Sequence, residues 1–83
     1  MRVLVRYFAS IREALGEGES IEVPAGATVG EVRDQLIASS TAHAAALARG
    51  RALRSALNQV LCDEAAVIED GLEVAFFPPV TGG

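Results

Sequence analysis

The spacing of apolar residues changes along the chain and marks out the elements. Residues 2–8, "RVLVRYF", alternate. Val3, Val5 and Tyr7 would face one side; Leu4, Arg6 and Phe8 would face the other, with Arg6 marking that side as nearer solvent. Period-two alternation predicts a strand. "ASIREALG" (9–16) predicts a short helical turn stopped by Gly16. "ESIEVPAG" (19–26) predicts a second strand, with Ile21 and Val23 inward and Pro24 at its end. The strongest helix is "TVGEVRDQLIAS" (28–39). Thr28 and Glu31 form a capping box, and Val29, Val32 and Leu36 share one face, with Arg33 and Asp34 off it. "TAHAAALA" (41–48) predicts a second helix closed by Gly50. "RALRSALNQVLCD" (51–63) predicts one or two strands. After an Asp70-Gly71 turn, Leu72, Val74 and Phe76 alternate inward against Glu73, Ala75 and Phe77 outward.

The order is strand, strand, helix, strand or strands, strand. It fits neither parallel βαβ repetition nor an all-β fold. It predicts an α+β domain with one main helix on one face of a mixed sheet. By analogy with known folds, the arrangement with first and last strands central is the β-grasp, or ubiquitin-like, fold.

Length and composition narrow the picture. Eighty-three residues, 51% of them hydrophobic, suit one domain over 1–83 with a flexible tail from about 79 to 83. Aromatics make up only 5%, so the core must be mostly aliphatic. The net charge is −4, all seven basic residues are arginines, and they are scattered. The tightest group, Arg49, Arg51 and Arg54, reads as a solvated turn. A nucleic-acid footprint is normally a larger basic surface, so neither nucleic acid nor an anionic membrane is expected as a partner. Cys62 is the one cysteine, which permits no disulfide within the chain and fits a reducing compartment. The start "MRVLVRYFAS" lacks the apolar core of a signal peptide, and the charge-free run 35–48 is too short to span a bilayer. A soluble, cytoplasmic protein is expected.

The end of the chain, "EVAFFPPVTGG", carries the candidate chemistry. Pro78 and Pro79 lack N–H groups, cannot continue a sheet ladder, and favour an extended path. From Pro79 onward, five extended residues reach roughly 17 Å, enough to enter a partner's active site. Gly82 and Gly83 let a narrow channel close around the main chain and leave a terminal carboxylate uncrowded. Activated as an acyl-adenylate, Gly83 would be open to attack by a sulfur donor, giving a thiocarboxylate. Its sulfur is a softer nucleophile than oxygen and can be passed on. The plain alternative is a frayed terminus that happens to end in two glycines.

"DGLEVAFFPPVTGG" (70–83), "VRYFASIREALG" (5–16) and "LNQVL" (57–61) resemble the molybdopterin synthase small-subunit family, the sulfur carriers of molybdenum cofactor synthesis. The span 38–52 carries none of the resemblance. The resemblance implies a ubiquitin-like fold and a Gly83 adenylated by an ATP-using, ubiquitin-activating-type adenylyltransferase. A persulfide-bearing donor would then supply sulfur. Pro79, Val80, Thr81 and Gly82 would thread into the large subunit of molybdopterin synthase, in a heterotetramer. There the thiocarboxylate would give sulfur to cyclic pyranopterin monophosphate. This chain would be a co-substrate that binds no cofactor itself, and the catalytic groups would sit in the partners.

The rest of the chain agrees with that division of labour. His43, in an alanine run, reads as a helix-surface residue. Cys62 reads as a buried or edge thiol, and no second His or Cys has metal-site spacing. No glycine-rich loop precedes a helix to cradle phosphate. Asp63, Glu64, Glu69 and Asp70 read as solvated charge beside turns. Strand parity puts Phe77 on the side of Phe8, away from the main helix, and Leu61 would extend the patch. Exposed aromatics in a cluster predict a partner interface, although either ring could instead close the edge of the core. Three other readings stand beside this one: a carrier for thiamin thiazole, a ubiquitin-like modifier of lysines, and a binding module with an incidental tail.

Overall fold

A computed structural model describes residues 1–79. The alternating segment forms β1 (Arg2–Tyr7), with Val3, Val5 and Tyr7 buried and Leu4 and Arg6 exposed. A seven-residue helix α1 (Ala9–Leu15) follows and stops at Gly16, whose φ of 90° lies in the left-handed region that glycine tolerates. β2 (Gly18–Glu22) pairs antiparallel with β1. It ends before the expected Pro24, although Val23 stays buried and its N–H donates to Met1 O. Gly18 lies so close to β1 that a Cβ there would meet the Val5 carbonyl oxygen.

α2 (Val29–Ile37) starts at the expected capping box, with both reciprocal hydrogen bonds between Thr28 and Glu31 in place. Val29, Val32 and Leu36 are buried as expected. Arg33 departs from expectation, because it is buried as well. α3 (Thr41–Ala46) is capped by Ser40 and ends at Leu47, short of the expected Gly50. The 51–63 segment resolves into two strands, β3 (Arg54–Leu57) and β4 (Val60–Cys62), joined by Asn58-Gln59. β5 (Glu73–Phe77) closes the fold.

The five strands run β2-β1-β5-β3-β4, and β1 and β5 are parallel neighbours. The register Val5↔Val74 and Tyr7↔Phe76 sends two apolar rows toward the helices. These rows pack with Ile11, Val29, Val32, Leu36, Leu47 and Ile68 in one core. Ala75 was expected outward; its parity is correct, but it is only 6% exposed. It sits between Arg6 of β1 and Ala56 of β3, and those neighbours cover its single methyl.

Candidate functional site

The helix-free face of the sheet carries the candidate site. Phe8 follows the end of β1, Phe77 ends β5, and Leu61 lies on β4. Because β1, β5, β3 and β4 are consecutive in the sheet, residues distant in sequence become neighbours. Phe8, Leu61 and Phe77 therefore line one groove of about 340 Å³. This volume is at the lower end of ligand-site sizes, roughly 300–1,000 Å³. Phe8 is 40% exposed and Leu61 is 63% exposed. Ala56 and Ala75 form the floor, and their small side chains make the depression.

Sequence reasoning missed the groove's polar rim. Arg6 and Glu73 face each other at 3.6 Å, and the Arg6 guanidinium stands 5.9 Å from the centre of the Phe8 ring. Gln59 lines the groove from the β3–β4 turn. Among the described residues, three that are not glycine have positive φ: Ala9 (54°), Asn58 (51°) and Gln59 (71°). All three border the groove elements. Ala9 directly follows Phe8, and the Asn-Gln pair leads into Val60 and Leu61. Such backbone costs about 1–3 kcal/mol per residue and clusters at functional sites. The signal in the sequence was Asn-Gln between two short apolar runs, the place of a two-residue hairpin turn.

The chain leaves the domain beside this groove. Phe77 is on its wall, and Pro78 and the exposed Pro79 follow directly. Of the expected tail, Val80, Thr81, Gly82 and Gly83 lie outside the described residues.

The other singled-out residues form structural clusters. Arg33 donates from Nε to Leu47 O at 2.8 Å, from one terminal nitrogen to Glu64 at 2.7 Å, and from the other to the carbonyls of Ala48 and Arg51. Arg49 is exposed, as a solvated turn requires, and it also pairs with Asp34 and Glu64 and donates to Gly30 O. Burial would raise the Glu64 carboxyl, but hydrogen bonds and charge from Arg49 and Arg33 outweigh it and hold the group below the ordinary glutamate range. His43, expected on the helix surface, is half-buried. Its Nε2 is 2.7 Å from Glu19, its Nδ1 is 2.6 Å from Ser40 Oγ, and its ring meets Tyr7 edge-on. Tyr7 also donates to Glu19, at 2.7 Å. Burial first, then Glu19, pushes the Tyr7 hydroxyl far up, so it remains a donor. This cluster joins β1, β2 and α3 and lies away from the groove. Cys62 is half-buried on edge strand β4, beside a larger, more polar depression that includes Asp63 and Glu64 but neither aromatic ring. Among the described residues, no helix is long and apolar enough to cross a membrane.

Among the described residues, a five-stranded mixed sheet with a central parallel β1–β5 pair and helices on one face defines a ubiquitin-like β-grasp protein. The chain belongs to the ThiS family, whose model matches residues 5–83. The molybdopterin synthase sulfur carrier subunit of Escherichia coli is 44% identical over 82 residues, covering 98% of this chain and 99% of the relative. Two solved structures are similar along almost all of their length. One is the complex of subunits 1 and 2 of molybdopterin-converting factor from Helicobacter pylori, with a TM-score of 0.70, 30% identity and all of both chains covered. The other is H. volcanii small archaeal modifier protein 1, with a TM-score of 0.78, 26% identity, 95% of this chain and 98% of that one.

Proposed function

We propose that this chain is a sulfur carrier for molybdenum cofactor synthesis, acting as the small subunit of molybdopterin synthase. One observation supports it above the others: the tail departs at Phe77-Pro78-Pro79, directly from the wall of an exposed apolar groove. A partner that grips the groove meets Pro78 and Pro79 where the chain leaves the sheet. The relatives' names and the two-subunit Helicobacter complex favour the large synthase subunit as that partner.

In this scheme Phe8, Leu61 and Phe77 dock and Gly83 reacts. An ATP-using adenylyltransferase joins the Gly83 carboxylate to AMP, releasing pyrophosphate. The outer sulfur of a persulfide-bearing protein attacks the adenylate and displaces AMP, leaving an acyl disulfide; a second thiol then attacks the donor's inner sulfur, forming a disulfide with it and releasing the thiocarboxylate. Threaded through Pro79, Val80, Thr81 and Gly82, it gives its sulfur to cyclic pyranopterin monophosphate inside the large subunit.

The test is the intact mass of the protein isolated from cells, with fragmentation of the C-terminus. A fraction heavier by exchange of one oxygen for sulfur, localised to Gly83, is expected. An unmodified carboxylate in every molecule, even after incubation with ATP, an activating enzyme and a sulfur donor, would overturn the proposal. The likeness to an archaeal modifier protein favours a second reading, attachment of Gly83 to lysines of other proteins. Lysine-linked adducts in a digest of cellular protein would distinguish it.

A further inference from the structure

We infer that Gln59 is a specificity-determining residue of the docking groove, holding a carboxamide where the turn itself favours glycine. The inference rests on the docking reading above and goes beyond it. Asn58 and Gln59 are the two central residues of the β3–β4 hairpin, at φ 51° and 71°. Two left-handed residues in a two-residue loop make a type I′ turn, whose favoured pair is Asn-Gly. Asn58 suits its position. Gln59 does not, since its Cβ crowds a backbone that glycine adopts freely. The turn is anchored regardless, because the Asn58 N–H donates to Glu73 O at 2.7 Å.

What the glutamine adds is a side chain on the groove. The other polar groups of the rim, Arg6 and Glu73, answer each other at 3.6 Å. Among the described residues, the Gln59 carboxamide takes part in no side-chain hydrogen bond. It therefore offers one acceptor and two donors beside an apolar floor. A main-chain peptide group, with one N–H and one C=O, is its complement. The occupant this fits is an extended segment of the partner that seats an apolar side chain between Phe8, Leu61 and Phe77 and lays a peptide group against Gln59.

The test is calorimetric titration of the full chain with the purified large subunit of molybdopterin synthase, alongside thermal unfolding. Gln59→Gly is expected to raise the unfolding midpoint by about 4–8 °C while weakening binding about tenfold. Gln59→Met, similar in length but without the amide, is expected to lose similar affinity at unchanged stability. Asn58→Gly, altered in the turn but not in the groove, should bind like the parent. Opposite movement of stability and affinity at residue 59 is what a merely structural role would not produce. Parental affinity in both Gln59 variants would overturn the inference. Phe77→Arg separates the two levels. Normal binding by Phe77→Arg removes the docking reading itself, whereas lost binding there with parental binding in both Gln59 variants removes only the role of Gln59.

Discussion

The two faces of the sheet handle polar groups in opposite ways. On the helix side, Arg33 is 3% exposed, yet all three of its nitrogens donate, to the carbonyls of Leu47, Ala48 and Arg51 and to Glu64. Among the described residues, no buried side-chain polar atom lacks a partner. On the open side, an apolar groove faces solvent, its one ion pair is loose, and the backbone at both borders is left-handed. Where the fold closes on itself, the buried polar side chains among the described residues are answered internally. Where the chain is proposed to meet another protein, exposed apolar area and backbone strain remain for the partner to use.

The sharpest break of this contrast is Arg33→Ala. It strands three carbonyls of the single loop between α3 and β3 and removes one of the two arginines that hold Glu64, and each buried acceptor left without a partner costs about 1–3 kcal/mol. Urea unfolding should show that loss, and Arg33→Lys should recover little of it, because one ammonium cannot reach four acceptors on two loop segments. Next in size is Phe77→Arg on the open face. It is expected to weaken large-subunit binding by about 100-fold or more, as loss of a central aromatic anchor does, with far less change in unfolding than Arg33→Ala. Equal damage to folding and binding in either variant would erase the distinction between the faces.

The smallest effect is a pH dependence confined to the helix side. Glu64 and Glu19 are held below the ordinary glutamate range, Glu19 because hydrogen bonds from His43 and Tyr7 together outweigh its burial. A carboxyl with a lowered folded-state pKa adds stability above its unfolded value of about 4.3 and loses it as pH falls through the lower folded value. Unfolding free energy should therefore decline on acidification below about pH 4.5. Glu64→Gln should be less stable than the parent at pH 7, and the gap should narrow toward pH 3. A gap that is constant with pH would show that the carboxylate charge is not what binds Arg33 and Arg49.

Much of this arrangement was legible in the residues. Alternation gave β1 and β5 their correct faces, the Thr28–Glu31 box placed the start of α2, and Asp70-Gly71 gave the last turn, with Gly71 at φ 83°. Strand parity alone put Phe8 and Phe77 on one side. Arg33 was not legible. Helical spacing says which direction a side chain takes, but not whether a second helix and two loops will close over it. His43 was misjudged for the same reason, since its partner Glu19 is 24 positions away. Asn58-Gln59 went unread as a turn because glutamine is not the residue that a type I′ turn favours.

The sequence by itself determined the elements and the sidedness of the strands, and it ends in a run of prolines and glycines, because local period and backbone freedom are properties of neighbouring residues. Only the tertiary structure decided that β1 and β5 lie side by side, that Ala56 and Ala75 hollow the surface between Phe8, Leu61 and Phe77, and that one arginine ties α2 to two loops. Those outcomes depend on strand order and on which distant groups meet, and no local pattern encodes either.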